Sequence, residues 1–482
     1  MKWNQYALSF FCKKKTFPVE KGMDIGYYEK KGKQVWKGTE FKMDEKQQEK
    51  REARRKRRIR NQIISYTVLG AMVLLIAAGV ILGVRAFTAD KDRQQEAIES
   101  SQAAIDNILS SEEVIQTPEP SPEVVELTPE QKLDGIVDEG ISVMPLEDKV
   151  AGLFIVTPEA ITGVSTAVKA GEGTQKALTQ YAVGGIVYFS KNIQSEEQIK
   201  EMLDNTQLYT KYPIFLAVDE EGGSVARVAD AGIGPKVDSA KTIGETGGVP
   251  AAYQAGQTIG STLKGLGFNL DFAPVADLAN VENSIMADRS FGSDAQSVGE
   301  MAGSVVLGLK EQGVASCLKH FPGMGGTADD PHNGLSTIDR TEEQFRSEEF
   351  VAFQAGIDAG ADMVMITTAA APGITGDSEP CVFSEKLVTD ILRREMGFDG
   401  VIITDALNMS SISDYYGAEE AAIMAIRAGC DMILMPEDFE AAYNGVLQAV
   451  RDGKISEERI NDSLKRIYRI KYADKYGGQI EQ

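Results

Sequence analysis

The 482-residue chain is 43% hydrophobic and 25% charged, the balance of an ordinary globular protein, and is long enough for one large domain with appendages. Its net charge of −22 is unevenly spread: residues 1–62 hold 19 Lys/Arg and 8 Asp/Glu (+11), and the remainder holds 31 and 64 (−33). The acidic bulk repels nucleic acid and excludes it as a partner, and four scattered cysteines (Cys12, Cys317, Cys381, Cys430) have neither zinc-type spacing nor a disulfide-framework pattern.

Residues 1–62 form a basic segment that ends in Arg51-Glu-Ala-Arg-Arg-Lys-Arg-Arg-Ile-Arg60. Next comes Ile63–Val84, 22 residues without a charge. At about 1.5 Å of rise per residue, that length crosses a bilayer core as a helix. Cations before it and acidic sequence after it place the N-terminus in the cytoplasm and the rest outside the cell membrane. No strong cleavage site follows the run, so an uncleaved single-pass transmembrane helix over 63–87 is expected. Residues 88–132 read as an acidic linker, with the extended stretch Thr117-Pro-Glu-Pro-Ser-Pro-Glu123 at its centre.

From Leu133 to Gln482 the pattern changes. Eight short apolar runs are expected as strands: Val150–Val156, Gly185–Phe189, Ile214–Val218, Leu270–Val275, Ala315–His320, Met363–Thr367, Val401–Thr404 and Met432–Met435. Helical stretches between them include Ser195–Tyr209, Ala251–Leu266, Ala295–Gln312, Glu342–Ala359, Ser384–Met396 and Ala418–Ala428. Continuous rather than alternating apolar runs mark strands buried on both faces. The fold class is therefore α/β, a (β/α)8 TIM barrel, with a doubly wound open sheet as the alternative. No GxGxxG opens a helix after the first strand, which weakens that alternative.

In such a barrel, function sits at the C-terminal ends of the strands. There the sequence carries Asp219-Glu-Glu-Gly-Gly223, Asp277, Asp288-Arg-Ser-Phe-Gly292, Lys319-His-Phe-Pro-Gly323, Asp405 and Glu437-Asp438. The chain has two histidines, His320 and His332, within 13 residues of each other. Asp330 and His332 flank Pro331, close enough for the carboxylate to hydrogen-bond the imidazole and fix its tautomer, which makes the pair a candidate acid/base. Asp405, on a strand end, suits a nucleophile that must be held accurately. With two histidines and no HExxH or CxxC, neither a metal nor a cofactor is expected. A Walker loop and GxSxG are absent, which argues against phosphoryl transfer and serine hydrolysis.

The run Lys319-His-Phe-Pro-Gly-Met-Gly-Gly-Thr-Ala-Asp-Asp-Pro-His332 resembles the signature of glycoside hydrolase family 3, in its bacterial β-N-acetylhexosaminidase branch. Val218-Asp-Glu-Glu-Gly-Gly223, Asp288-Arg-Ser-Phe-Gly292 and Gly400-Val-Ile-Ile-Thr-Asp405 resemble further family blocks, in the same order. The resemblance implies a glycan substrate containing N-acetylglucosamine, such as peptidoglycan fragments. It implies Asp405 as the catalytic nucleophile and His332, oriented by Asp330, as the acid/base. It also implies that Asp219, Arg289, Lys319 and His320 bind the sugar. Three positions depart from the pattern: Met324 replaces the second His of KHFPGHG, Pro331 replaces Ser or Thr, and Thr367-Thr368 replaces Ser-His. A catalytically impaired glycan-binding protein and another exo-β-glycosidase specificity on the same barrel are the alternatives. Family β-glucosidases typically add a second domain with a glutamate acid/base. A phosphorolytic variant makes less sense outside the cell.

Overall fold

The structure, a computed structural model, describes residues 127–281 and 284–477. The basic segment, the expected membrane helix at 63–87 and most of the expected linker lie outside these residues. Among the described residues no helix is long and apolar enough to cross a membrane.

Eight parallel strands form the centre: β1 (Phe154–Val156), β2 (Gly185–Val187), β3 (Phe215–Val218), β4 (Leu270–Asp271), β5 (Ala315–Phe321), β6 (Met363–Ile366), β7 (Val401–Thr404) and β8 (Ile433–Leu434). β1 pairs with β8 at Phe154–Ile433, and successive strands pair in order up to β7. A parallel bridge between Ile403 and Met432 joins β7 to β8, so the sheet returns on itself. The strand residues are almost all fully buried, which is why their sequences run apolar without alternation. Helices follow the strands on the outside, several with side-chain caps: Ser195, Asp294 and Asp438 each accept an N–H from the first turn of the helix they precede.

Two boundaries differ from the sequence pattern for identifiable reasons. Val150 and Ala151 close the helix Leu146–Ala151, and β1 starts only at Phe154. One unbroken apolar run conceals that junction. β4 ends at Asp271 because Pro274 has no N–H to continue the ladder, although Val275 regains a single bridge to Lys319. The high glycine content also finds its use. Helices Gly248–Leu266 and Ala295–Glu311 approach so closely that a Cβ on Gly256 would lie 2.5 Å from the Val305 carbonyl oxygen.

At the N-terminal pole, Asp431 ties the last helix, Glu457–Gly477, to the barrel. Its buried carboxylate accepts hydrogen bonds from the Ile402 N–H (3.0 Å), Arg393 Nη2 (2.6 Å) and Ser463 Oγ (2.7 Å). Arg469 adds a pair of bonds to Asp134 at 2.6 and 2.9 Å, fixing the helix Pro129–Ser142 to the same last helix. Replacing Asp431 with Ala leaves a largely buried guanidinium without its partner. The expected cost is about 3–5 kcal/mol in urea unfolding. A midpoint unchanged from wild type would show that this hub contributes nothing.

Candidate active site

The site is built at the C-terminal ends of the strands, beginning with the turn after β3. Gly222 and Gly223 adopt left-handed backbone (φ 86° and 57°), a conformation that disfavours residues with a Cβ. They fold Glu220–Gly222 back on Val225–Ala226 as a short hairpin. The two glutamates then part. Glu220 accepts the N–H groups of Val228 and Ala229, which secures the turn. Glu221 faces two cations. Arg289 grips it with Nε at 2.8 Å and Nη2 at 2.7 Å, and Lys319 Nζ lies 2.6 Å away. Lys319 also reaches Asp219 Oδ1 at 2.7 Å.

These four charges sum to zero and settle one another. Burial alone would raise the Glu221 carboxyl, but Lys319 and Arg289 outweigh it and hold it at about 2. Burial would lower the Lys319 ammonium, but Asp219 and Glu221 hold it well above the ordinary lysine value. Arg289 is held up in the same way by Glu221.

Next to Lys319, His320 is buried against Asp277. Its Nδ1 lies 2.7 Å from Asp277 Oδ2, and its backbone N–H donates to the same carboxylate at 3.2 Å. The Met324 N–H donates to Asp277 Oδ1 at 2.6 Å. The second dyad is built differently. Asp330 caps the short turn Pro331–Asn333 and accepts from the His332 N–H at 2.9 Å, while His332 Nδ1 lies 2.7 Å from the same oxygen. His332 is exposed, in contrast to His320. Partial burial would raise the Asp330 carboxyl, but the His332 N–H and imidazole outweigh it and keep it below its usual value. An ionised Asp330 accepts, so Nδ1 carries the hydrogen and Nε2 is left free for chemistry.

Asp405 follows β7 directly. Its N–H donates to Ile366 O at 2.8 Å, and one carboxylate oxygen accepts the Ala406 N–H at 2.7 Å. A cavity of about 180 Å³ opens between these groups. Asp219, Arg289, Lys319, His320, His332 and Asp405 all line it. Six of the seven residues expected from the sequence thus meet in one place, and the seventh, Asp330, is bonded to His332. Met435 lines the same cavity with φ of 43°, the one positive value at a non-glycine among the described residues. Such strain persists where the surroundings enforce it, and it concentrates at functional sites.

Glu221 and Asp277 stand within the motifs at the strand ends, but sequence alone assigns neither a role. Their signal was adjacency: each is a carboxylate beside a residue already singled out or at a strand's end. The three departures fit their surroundings. Met324 is buried with Val275 and Met286 in a small apolar cluster. Pro331 takes the first position of a helical turn, where its missing N–H is not needed. Thr368 accepts from Ser411 Oγ at 2.8 Å, linking β6 to the loop that follows Asp405.

A parallel eight-stranded barrel with paired carboxylates, cations and an Asp–imidazole couple around one small cavity has the build of a glycoside hydrolase. Residues 145–470 match the Glycosyl hydrolase family 3 N terminal domain, and the chain belongs to that family. It is 32% identical over 337 residues to beta-hexosaminidase LpqI of Mycobacterium tuberculosis, a match covering 67% of this chain and 82% of that protein. It is 31% identical over 324 residues to beta-hexosaminidase A of Pseudoalteromonas piscicida, covering 61% of this chain but 54% of that longer protein. Among solved structures, a glycoside hydrolase family 3 beta-N-acetylglucosaminidase from Paenibacillus sp. matches with a TM-score of 0.64 and 31% identity, over 70% of this chain and 64% of that one.

Glu221 generates a prediction on stability. Its folded value of about 2 lies below the ordinary 4.5, so its contribution is complete above about pH 4.5 and is lost as the pH falls toward 2. Glu221→Gln is expected to cost about 3–5 kcal/mol at pH 7, because Lys319 and Arg289 lose a shared partner, and less at pH 3. Urea midpoints of both proteins at the two pH values test this. An equal loss at pH 7 and pH 3 would contradict the charge cluster.

Proposed function

We propose that the chain is a retaining β-N-acetylhexosaminidase that releases terminal β-linked N-acetylglucosamine from glycans, with peptidoglycan fragments as its natural substrate. The observation that carries this reading is that Asp405 and His332, from loops after different strands, line one cavity with Asp330 bonded behind the imidazole. Relatives named beta-hexosaminidase support the sugar specificity. The uncharged run Ile63–Val84 behind its basic flank supports a single-pass anchor that leaves the barrel outside the cell.

Two displacements follow from this arrangement. With His332 entering as the imidazolium, paired with Asp330 through Nδ1–H, Asp405 attacks the anomeric carbon while His332 gives its Nε2 proton to the glycosidic oxygen and becomes neutral. The C1–O bond breaks, a bond from C1 to the Asp405 carboxylate forms, and the leaving sugar departs as an alcohol. Water then attacks C1 and gives a proton to Nε2, and the Asp405 bond breaks. Two inversions restore the β configuration. Asp330 stabilises the imidazolium in both steps. Asp219, Arg289, Lys319 and His320 hold the sugar's hydroxyls with charge-assisted hydrogen bonds.

Asp405→Ala is expected to abolish release of p-nitrophenol from its β-N-acetylglucosaminide, and wild-type turnover in that variant would refute the nucleophile. His332→Ala is expected to lose about 10²–10⁴-fold on a disaccharide. It should lose less on the aryl glycoside, whose leaving group needs little protonation. An equal loss on both substrates would remove His332 from the acid role.

A further inference from the structure

Behind the loop that carries Asp330 and His332 lies a buried carboxylate that no step of the mechanism uses. Glu349 closes the widened, π-type turn Phe345–Glu349 in the helical segment after β5, and its side chain is 1% exposed. It stands outside the lining of the cavity. Stacking holds this turn to the end of β5: Phe350, the next residue, lies on the Phe321 ring with centroids 5.3 Å apart. Turns of this kind recur at functional positions.

Both limbs of the loop meet at this one group. On the entering limb, Gly323 packs against its stem so closely that a Cβ there would lie 2.5 Å from Glu349 Cγ. On the returning limb, Arg340 Nη2 donates to Glu349 Oε2 at 3.2 Å, and Arg340 Nε lies 2.9 Å from Oε1. Oε1 also accepts Asn280 Nδ2 at 3.2 Å, from the loop after β4 that carries Asp277. The Ile338 N–H donates to Ala370 O at 2.8 Å, which ties the returning limb to the loop after β6 but leaves the entering limb untouched. Glu349 is the contact that the two limbs share, and the short turn with Asp330 and His332 spans the stretch between them.

We propose that Glu349 is a positioning residue for acid catalysis: by clamping both limbs of the loop, it sets where the His332 imidazole meets the glycosidic oxygen. This rests on the acid role given to His332 above. An error of about 1 Å in such a placement costs on the order of 10²-fold in rate, even when it originates away from the reacting atoms.

The test is Glu349→Gln and Arg340→Gln in the full chain, with kcat/KM measured on aryl β-N-acetylglucosaminides from dinitrophenyl to phenyl. That constant reports the first displacement, in which the leaving oxygen takes the proton. Glu349→Gln leaves Arg340 its bond to Glu348, so no cation is stranded. Burial already raises the Glu349 carboxyl, so in Arg340→Gln it takes up a proton more readily than an ordinary carboxylate. Each variant is expected to lose about 10–100-fold on the phenyl glycoside, whose leaving group needs the proton, and about threefold or less on the dinitrophenyl glycoside. The double variant should lose little more than either single one, because each removes the same clamp. A uniform loss across the series, or no loss, in variants whose urea midpoints show them folded overturns the proposal. Failure of both variants to fold makes Glu349 a brace for the fold as a whole and also overturns it. His332→Ala on the same series separates the two readings. If His332→Ala is selective for poor leaving groups and the clamp variants are not, the clamp falls and the acid role stands. If His332→Ala is itself uniform, the acid role falls and the clamp with it.

Discussion

The mouth of this barrel depends on the neutrality of a buried set of charges. Lys319, Arg289, Asp219 and Glu221 converge within hydrogen-bond distance, two of each sign. Any one of them alone would be expelled from so enclosed a place or would lose its charge. Together they stay ionised, and they fix the positions of the ends of β3 and β5 and the loop after β4. In the proposed reading, a sugar hydroxyl arriving there meets groups already charged and already oriented. The ordering cost has been met by folding rather than by binding.

The two aspartate–histidine couples show how burial divides the same chemistry into two roles. Asp277 has no exposed surface, and it accepts from the ring and backbone of His320 and from the Met324 N–H. An imidazole held at so many points is a fixed part of the wall. Asp330 and His332 make the same ring contact at the same 2.7 Å, yet most of the His332 side chain is exposed. They sit on a single short turn that holds both partners as one unit. In the proposed mechanism a group that gives and recovers a proton needs access to water and to the leaving oxygen, and the exposed couple suits that role better.

The barrel was legible in the sequence because its strands are buried on both faces, so apolar runs and strands coincide. All eight appear where the runs lie, within a few residues. The misplaced ends fall where periodicity carries no signal: the helix-to-strand passage at Val150–Phe154, and the proline that stops β4. Asp405 and the Asp330–His332 couple were legible as candidates because they sit at a strand end and in a polar loop with few competing residues, and the structure brings them to one cavity. Glu221 was not, because three consecutive acidic residues at 219–221 look alike in sequence. Only the turn through Gly222 and Gly223 sends them in different directions. Met435 was missed for a related reason: what sets it apart is its backbone angle, which residue type does not reveal.

The departures from the family pattern test how much of the site is chemistry and how much is support. Met324 stands where a second histidine is usual, but the contact it makes toward the site comes from its backbone N–H, which any residue except proline supplies. Its side chain turns into an apolar cluster, so the exchange alters packing and leaves the Asp277 bonds in place. Pro331 acts on the turn instead. It occupies the one position where a proline suits a helical start, and it restricts φ without removing a bond that the turn requires. The unbound loop therefore has fewer conformations to lose when Asp330 and His332 come together. A stiffer turn delivers the imidazole as a preassembled couple. What it gives up is independent adjustment of the two residues, so in the proposed mechanism Asp330 and His332 approach the leaving oxygen as one unit.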